Sequence, residues 1–506
     1  MPEFPLHGVA DLKENEKKLV SAGKAKILVL RHQGKLSAFQ SNCPHAGGPL
    51  EKGAICNGRL VCPWHMGTFR IPDGQLIEPP AMDSLETYPL RIEGSSVFVT
   101  FPTAKAVERP TKVSPSIVGK KRMVIVGAGA AGSMAAKTLR EEGFCGEIVV
   151  VDPRHEEPID RTMLTKMALT DKTPANRVQL HCLDRLDVIR LRSSVKSLRA
   201  DRGLITLSDG RTVRFDAALV ATGGTPKRLP MQHPENVHTI RHIDDLSGLR
   251  SIARKGRHAI VLGTSFIGME AASALRQRGL TVTVIGKERL PFEQQFGSNI
   301  ASALLSLHKR KGVGLVLGVN TLQVTSRNVL VDQNGRSRRI NGDFVILGVG
   351  VEPSLNFEHD LPLAADGGVL TDESLRARDK VWVAGDIANV AGLRIEHWRV
   401  AQQHGMHAAK QMLGQRTPLR NVPFFWTYHF EKTIKYLGHA DTWDDVSITG
   451  DVRRLNFIAL LSRRDEVIAV VSCDRDEETA LLAELMRKPI SSKQARKAIQ
   501  SIRRNG

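Results

Sequence analysis

One pattern occurs twice in this chain and constrains its fold more than any other. A run of apolar residues enters a glycine turn and continues into an Ala-rich segment, first at Met123-Val124-Ile125-Val126-Gly127 and again, 136 residues later, at His258-Ala259-Ile260-Val261-Leu262-Gly263. A strand that passes through glycine into a helix opens a nucleotide-binding βαβ unit. In the first copy Gly127, Gly129 and Gly132 keep the G-x-G-x-x-G spacing, and Val150-Val151-Asp152 ends the next strand. The glycines permit a tight turn and close approach of a pyrophosphate to a helix N-terminus, while the acid reaches the ribose hydroxyls. Packing alone does not require strand, glycines, helix and acid in that order. The second copy reads Gly263-Thr264-Ser265-Phe266-Ile267-Gly268, with Ser265 in place of the middle glycine. Serine is small enough to leave the pyrophosphate path passable, with a tighter fit. Two nucleotide-binding α/β domains are therefore expected.

At 506 residues and 41% hydrophobic the chain exceeds one core and suggests three or four. Residues 1–104 read as a small all-β domain, with Lys26 to Leu30 and Ser96 to Thr100 among its strands. Residues 105–120 lose periodicity, carry two prolines and read as an extended linker. After 421 the pattern turns to strands followed by an acidic-basic helix, Asp476 to Arg487, which suggests an α+β cap or dimerisation domain. The longest apolar stretches, Phe457 to Leu461 and Val467 to Val471, are too short to span a bilayer. The first residues, Met1-Pro2-Glu3-Phe4-Pro5, lack the pattern of a signal peptide. A cytoplasmic protein without membrane contact is expected. Its formal charge of +19 is mostly dispersed. The densest stretch is the tail, where Arg487, Lys488, Lys493, Arg496, Lys497, Arg503 and Arg504 punctuate an amphipathic helix; a solvated face is favoured there over a docking patch, and nucleic acid is not the expected partner.

Three of the six cysteines fall in the first 62 residues, which favours metal binding over disulfides. Cys43-Pro44-His45 is followed, after sixteen residues, by Cys62-Pro63-Trp64-His65. Two thiolates and two imidazoles hold either a tetrahedral zinc or a 2Fe-2S cluster, and spacing alone leaves both open. The surrounding Ala46-Gly47-Gly48-Pro49-Leu50, Met66-Gly67-Thr68-Phe69, Pro79-Pro80 and Tyr88-Pro89-Leu90 make the stretch resemble Rieske ferredoxin domains over nearly all of residues 1–104. The resemblance implies Cys43, His45, Cys62 and His65 as cluster ligands and a proline loop that shields them from water. It leaves Cys56 out, as a buried small residue. Gly48 and Trp64 stand where respiratory Rieske proteins have an extra bridged cysteine pair. Met66 replaces a glycine that usually follows the second histidine.

The larger part of the chain resembles the flavin reductases that serve ferredoxins. Pro158-Ile159-Asp160-Arg161-Thr162-Met163-Leu164-Thr165-Lys166 is similar to their Asp-Arg-Pro-x-Leu-Ser-Lys segment, Ala221-Thr222-Gly223-Gly224 to their central motif, and Val381-Trp382-Val383-Ala384-Gly385-Asp386 to their closing flavin motif. Leu347-Gly348-Val349-Gly350, Glu396-His397-Trp398 and Phe424-Phe425-Trp426 extend the likeness. The whole arrangement resembles the Rieske-containing branch of the apoptosis-inducing-factor-like proteins. The implied fold is multi-domain: an all-β Rieske domain, two Rossmann-like dinucleotide-binding domains of glutathione-reductase type and a C-terminal α+β domain. FAD would occupy residues 121–240 and 343–420, and NAD(P) residues 241–342. The flavin would meet Gly127, Gly129, Gly132, Asp152, Arg161, Lys166, Thr222, Gly223, Asp386 and Trp426. The nicotinamide nucleotide would meet Gly263, Gly268, Glu270 and Gly350.

By the same resemblance Lys166 and Glu270 form a catalytic ion pair beside the isoalloxazine, against the plainer reading of an interdomain salt bridge. Trp398 and Trp426 either cover the flavin or simply pack. No Cys-x-x-x-x-Cys follows the first motif, so disulfide reduction lacks its dithiol; Cys145 reads as packing at a helix end. Gly286-Lys287-Glu288 closes the strand that sets nucleotide choice, leaving NADH or NADPH as co-substrate, with NADH preferred. The implied activity is transfer of electrons from NAD(P)H through FAD to the Rieske cluster and on to an acceptor such as a ferredoxin or an oxygenase. An acidic acceptor protein suits the basic surface, and a homodimer is compatible. A redox-sensing or nucleic-acid-associated binder is the alternative, supported only by the tail. A reductase with a purely regulatory cluster is a third reading.

Overall fold

The computed structural model describes residues 3–101, 121–170, 178–180, 182–229 and 235–505. The linker expected at 105–120 lies outside the described residues. In the N-terminal part, short strands build three small antiparallel sheets. One of them joins Ala54–Cys56, Arg59–Val61, Thr68–Arg70 and Leu76–Glu78 and carries the turn between the two Cys-Pro loops. The apolar alternation of Ala25–His32 buries Leu28 and Leu30 on one side and Ile27 and Val29 on the other, so both faces of this strand meet a core.

The first glycine opening forms the centre of a six-stranded sheet, in the order Ile189–Leu191, Glu147–Val151, Arg122–Val126, Ala217–Val220, Val381–Val383 and Arg376–Arg378. Met123 to Val126 are buried throughout, as a parallel strand covered on both faces requires. The second opening centres a five-stranded sheet, in the order Val237–His238, Phe344–Leu347, His258–Leu262, Thr281–Gly286 and Gly314–Leu317. That sheet takes in strands on either side of the 241–342 span expected from sequence. The reason is that Phe344–Leu347 pairs in parallel with His258–Leu262 before the chain returns to the flavin side.

The C-terminal part is a five-stranded antiparallel sheet that includes Phe424–His429, Lys432–Gly438 and Glu466–Cys473, with helices Asp476–Leu485 and Ser492–Asn505 laid on it. In the last helix Ala495 and Ile499 face the core while Lys493, Arg496 and Lys497 are exposed, which is a solvated face. Arg487 departs from that expectation. It points inward, and its Nη1 donates to Glu78 Oε1 at 2.7 Å. No helix among the described residues is long and apolar enough to cross a membrane.

The β domain is fastened to the rest through helix Trp398–Met412. Arg399 donates to the carbonyls of Pro79 (2.7 Å) and Met66 (3.2 Å), Gln402 to Pro80 O (3.3 Å) and Gln403 to Glu78 (2.6 Å). The proline loop, expected to shield the cluster, spends its carbonyls on this helix. Lys435 Nζ donates to Pro63 O at 2.6 Å, and Arg59 pairs with Glu484. Met66 has φ +60, a left-handed conformation that explains why glycine suits the position. Its fully buried side chain packs with Val422, Phe424 and Leu437 of the C-terminal sheet, so methionine exchanges backbone ease for an apolar anchor between domains.

Candidate active site

A cleft opens above the first glycine turn. A Cβ on Gly127 would lie 2.4 Å from Ala221 O, and one on Gly132 would lie 1.8 Å from Gly127 O, whereas one on Gly129 would meet nothing within 4 Å. Gly127 and Gly132 thus let turn, helix and neighbouring strand close up, and Gly129 leaves free space over the helix N-terminus. Arg154, Arg161 and Arg241 converge on this cleft. Burial, reinforced by the charges of Arg241 and Arg154, pushes the Arg161 guanidinium down to about 9. Arg241 Nε and Thr222 Oγ1 are buried without a partner. Three crowded cations, an open helix N-terminus and orphaned donors fit the pyrophosphate of a dinucleotide. Asp152 accepts from Ala128 N (2.7 Å) and pairs with Arg154, and Asp386 faces Arg241 at 3.3 Å. Both carboxylates, with Gly223, line the cleft.

At the other end of the cleft stand Lys166, Glu270 and Trp426. Lys166 Nζ lies 3.1 Å from Glu270 Oε2 and donates to Thr162 O at 3.0 Å. The Glu270 carboxylate is buried and also receives the Thr165 and Thr427 hydroxyls and the Tyr428 N–H. Such a carboxylate, surrounded by donors, is held in one orientation without water.

The second turn forms a neighbouring cleft that shares Ser265, Phe266 and Gly350 with the first. A molecule lying along the second cleft therefore ends beside Glu270. Gly263 and Gly268 repeat the close approaches of the first turn, at 2.3 Å from Gly348 O and 2.4 Å from Gly263 O respectively. Ser265 caps the helix Phe266–Gln277, its hydroxyl accepting from Gly268 N at 3.2 Å; the extra side chain is absorbed by capping. Lys287 and Glu288 both line this cleft, and Thr264 donates to the Glu288 carboxylate.

Cys43 and Cys62 are buried side by side, and His45 Nδ1 lies 3.1 Å from His65 Nδ1. The Cys43 thiol and the N–H groups of Trp64 and His65 are aimed at the Cys62 sulfur and, against burial, pull it below the ordinary thiol range. Burial, with the charges of His45, Lys435 and Lys166, keeps His65 neutral. Among the described residues no group of three His, Cys, Asp or Glu is placed to hold a single metal ion. The donors divide two and two, as a cluster with one iron on each pair requires and a lone tetrahedral zinc does not. A Cβ on Gly48 would lie 3.3 Å from the Trp64 ring, so the indole occupies the space where a second cysteine pair would bridge.

The imidazole side of this site faces the first cleft. The His65 ring lies 4.2 Å from that of Trp426, and Lys166 Nζ lies 5.7 Å from the same Trp426 ring. His45 Nε2 is 3.3 Å from Asp160 Oδ2, a buried carboxylate that also accepts from Thr162 N and Oγ1. The residues singled out in the sequence are thus gathered in one region, with four exceptions. Cys145 is exposed beyond the end of its helix and does not pack, Cys56 is only half-buried, and Gly132 and Gly268 act behind the turns. Arg154, Arg241 and Asp160 were not picked out individually; for the two arginines no local pattern marks their convergence.

Three family descriptions match the chain: Rieske [2Fe-2S] domain over residues 3–89, pyridine nucleotide-disulphide oxidoreductase over 121–405 and reductase C-terminal over 424–502. The chain is 31% identical to apoptosis-inducing factor 3 of Mus musculus, over 94% of this chain and 83% of that one. It is 28% identical to the ferredoxin--NAD(+) reductase component of a 3-phenylpropionate/cinnamic acid dioxygenase from Photorhabdus laumondii, over 72% and 96%. In fold it is similar to the reductase in a covalent putidaredoxin reductase-putidaredoxin complex, with a TM-score of 0.69 and 24% identity over 74% of this chain and 96% of that one.

Proposed function

Because the chain belongs to the pyridine nucleotide-disulphide oxidoreductases and joins to them a Rieske domain, we propose that it moves electrons from NADH through FAD to its own Rieske cluster and then to an acidic one-electron acceptor protein. The observation that carries this reading is the close contact of the His65 ring with the tilted ring of Trp426, 4.2 Å between centroids, since Trp426 lines the same cleft as Lys166 and Glu270. In this reading Cys43 and Cys62 hold one iron and His45 and His65 the other. Bound FAD supplies a two-electron acceptor for nicotinamide hydride that yields its electrons singly to the cluster.

The chain's own residues set the geometry. Arg154, Arg161 and Arg241 neutralise the pyrophosphate, and the shared wall of Ser265, Phe266 and Gly350 leads the nicotinamide to the Glu270 carboxylate. Lys166 provides fixed positive charge where negative charge develops, and Trp426 keeps water from the passage to His65. Glu288, held by Thr264, is placed to accept from ribose hydroxyls and to repel a 2'-phosphate, which favours NADH in spite of Lys287. A cytoplasmic setting suits such a donor. The binder reading is not favoured, since the chain is similar to ferredoxin--NAD(+) reductase components and Arg487 of the tail is committed to Glu78.

Anaerobic titration with NADH should bleach the flavin and then raise a Rieske-type EPR signal, with NADPH much less effective. Bleaching with the cluster left oxidised would refute the relay. Replacing Lys166 by Met should slow flavin reduction roughly tenfold or more, the scale of losing one preorganised charge contact, while cluster content stays unchanged; normal stopped-flow bleaching would remove Lys166 from the mechanism.

A further inference from the structure

Asp160 opens the segment that runs to Lys166 along the first cleft, yet its two carboxylate oxygens serve different domains. Oδ1 accepts from Thr162 N at 2.9 Å and from Thr162 Oγ1 at 2.6 Å, which caps the short helix Arg161–Met163. Oδ2 faces the other way and lies 3.3 Å from Nε2 of His45 in the β domain. The two side chains are only 11% and 10% exposed, so this contact is made almost out of water. The backbone beneath it is held as well, Asp160 N donating to Val178 O at 2.7 Å.

Capping does not call for a carboxylate. Asparagine or serine offers the same kind of acceptor to a helix N-terminus without burying a charge. An ion removed from water is costly unless it is paired. The cap therefore accounts for Oδ1 and not for the charge, whose partner is His45.

His45 Nδ1 lies 3.1 Å from His65 Nδ1. The two Nδ1 atoms converge on one place, and Nε2 of His45 points away from it toward Asp160. With Nδ1 given to iron, Nε2 carries the hydrogen and donates it to the carboxylate. A carboxylate behind a ligating imidazole fixes the ring and strengthens it as a donor. It also sets a negative charge beside a centre that gains an electron on reduction, in surroundings where charge is poorly screened. His65 stands in the opposite field, reached by the charges of Lys435 and Lys166 and covered by Trp426. One imidazole is thus backed by an anion and the other approached by cations.

We propose that Asp160 is a positioning residue for the cluster, which holds His45 from the flavin side and lowers the reduction potential, so that the reducing strength of the cluster is set by the domain on which it is docked. The proposal rests on the ligand assignment given above and is independent of what donates the electrons. Removing the charge should favour the reduced cluster about tenfold, a rise of 59 mV for a one-electron couple.

The test uses the full-length holoprotein, poised anaerobically with dithionite and mediator dyes. The midpoint potential is read from the intensity of the Rieske-type EPR signal, and iron and sulfide are measured on the same samples. Asp160→Asn keeps the size of the side chain and removes its charge, while Asp160→Ser keeps a capping oxygen and leaves nothing against His45. Both variants should retain full iron and sulfide and show the raised midpoint, which a purely structural cap would not move. A change of less than threefold in the reduction equilibrium, or a change downward, in both variants would overturn the role in setting the potential. Loss of iron and sulfide from both would overturn it too, since Asp160 would then serve to retain the cluster; loss from one leaves the other to decide. Absence of a Rieske-type signal from the dithionite-reduced parent would instead overturn the ligand assignment, a separate and recognisable result.

Discussion

A Cys62→Ser chain should lose its Rieske-type EPR signal entirely, still bleach its flavin with NADH, and pass electrons to an added one-electron acceptor protein only at background rate. The Cys62 sulfur is buried, lies beside Cys43 and receives N–H groups from Trp64 and His65. A serine hydroxyl there is a harder, less acidic donor that iron-sulfur chemistry does not accept in place of thiolate. Lys166 and Glu270 make no contact with Cys62, so hydride transfer should be spared. Acceptor turnover that persists without the EPR signal would mean that the cluster is regulatory, and His65→Cys offers a second way to see this.

Glu78→Ala should be the most destabilising single change at the junction between domains, by about 3–5 kcal/mol, because it leaves two guanidiniums without their shared counter-charge. Glu78 is nearly buried on the strand Leu76–Glu78 and meets Gln403 at 2.6 Å, Arg487 at 2.7 Å and Arg399 at 3.7 Å. Burial works against its ionised form, but Arg399, Arg487 and Gln403 outweigh burial and hold the carboxyl below its usual range. A carboxyl lowered by folding contributes stability that is fully present above its unfolded value, about 4.3, and is lost as pH falls through the lower folded value. The parent should therefore keep this contribution from pH 7 down to about 5 and lose it only in stronger acid, whereas the alanine variant has none to lose. Hydrogen exchange of the β domain as a function of pH reads this directly, and equal exchange in parent and variant at pH 7 would show that Glu78 does not fasten the domains.

What could be read from the sequence was whatever is written in consecutive residues. The glycine turns, the two Cys-Pro loops and the Asp160 to Lys166 segment each have a local pattern, because each must shape its own backbone around a ligand. Contacts made across hundreds of residues leave no such trace. Nothing near Arg487 says that it turns inward to Glu78, 409 positions away. Asp160 looks like part of a flavin motif until the fold brings it against His45. His308 and His429 lie in ordinary helix and strand sequence, and only packing shows that they touch. Met66 was visible as a departure from glycine, but its positive φ and its burial against Phe424 required the C-terminal sheet to be in place. The strand Phe344–Leu347 lies beyond the 241–342 span yet pairs with His258–Leu262, because an apolar run states its burial and not its partner.

The inward-facing imidazoles have a kinetic meaning. When reductase and Rieske protein are separate molecules, each electron waits for a collision, so the rate depends on concentration and on the screening of charge by salt. Here the cluster is covalently attached and held by Arg399, Gln402 and Lys435, so its local concentration at the flavin edge is fixed by the fold. The internal step is then first order, indifferent to dilution and to ionic strength. Only the onward transfer, from the cluster to whatever protein receives the electron, remains open to control by abundance and charge.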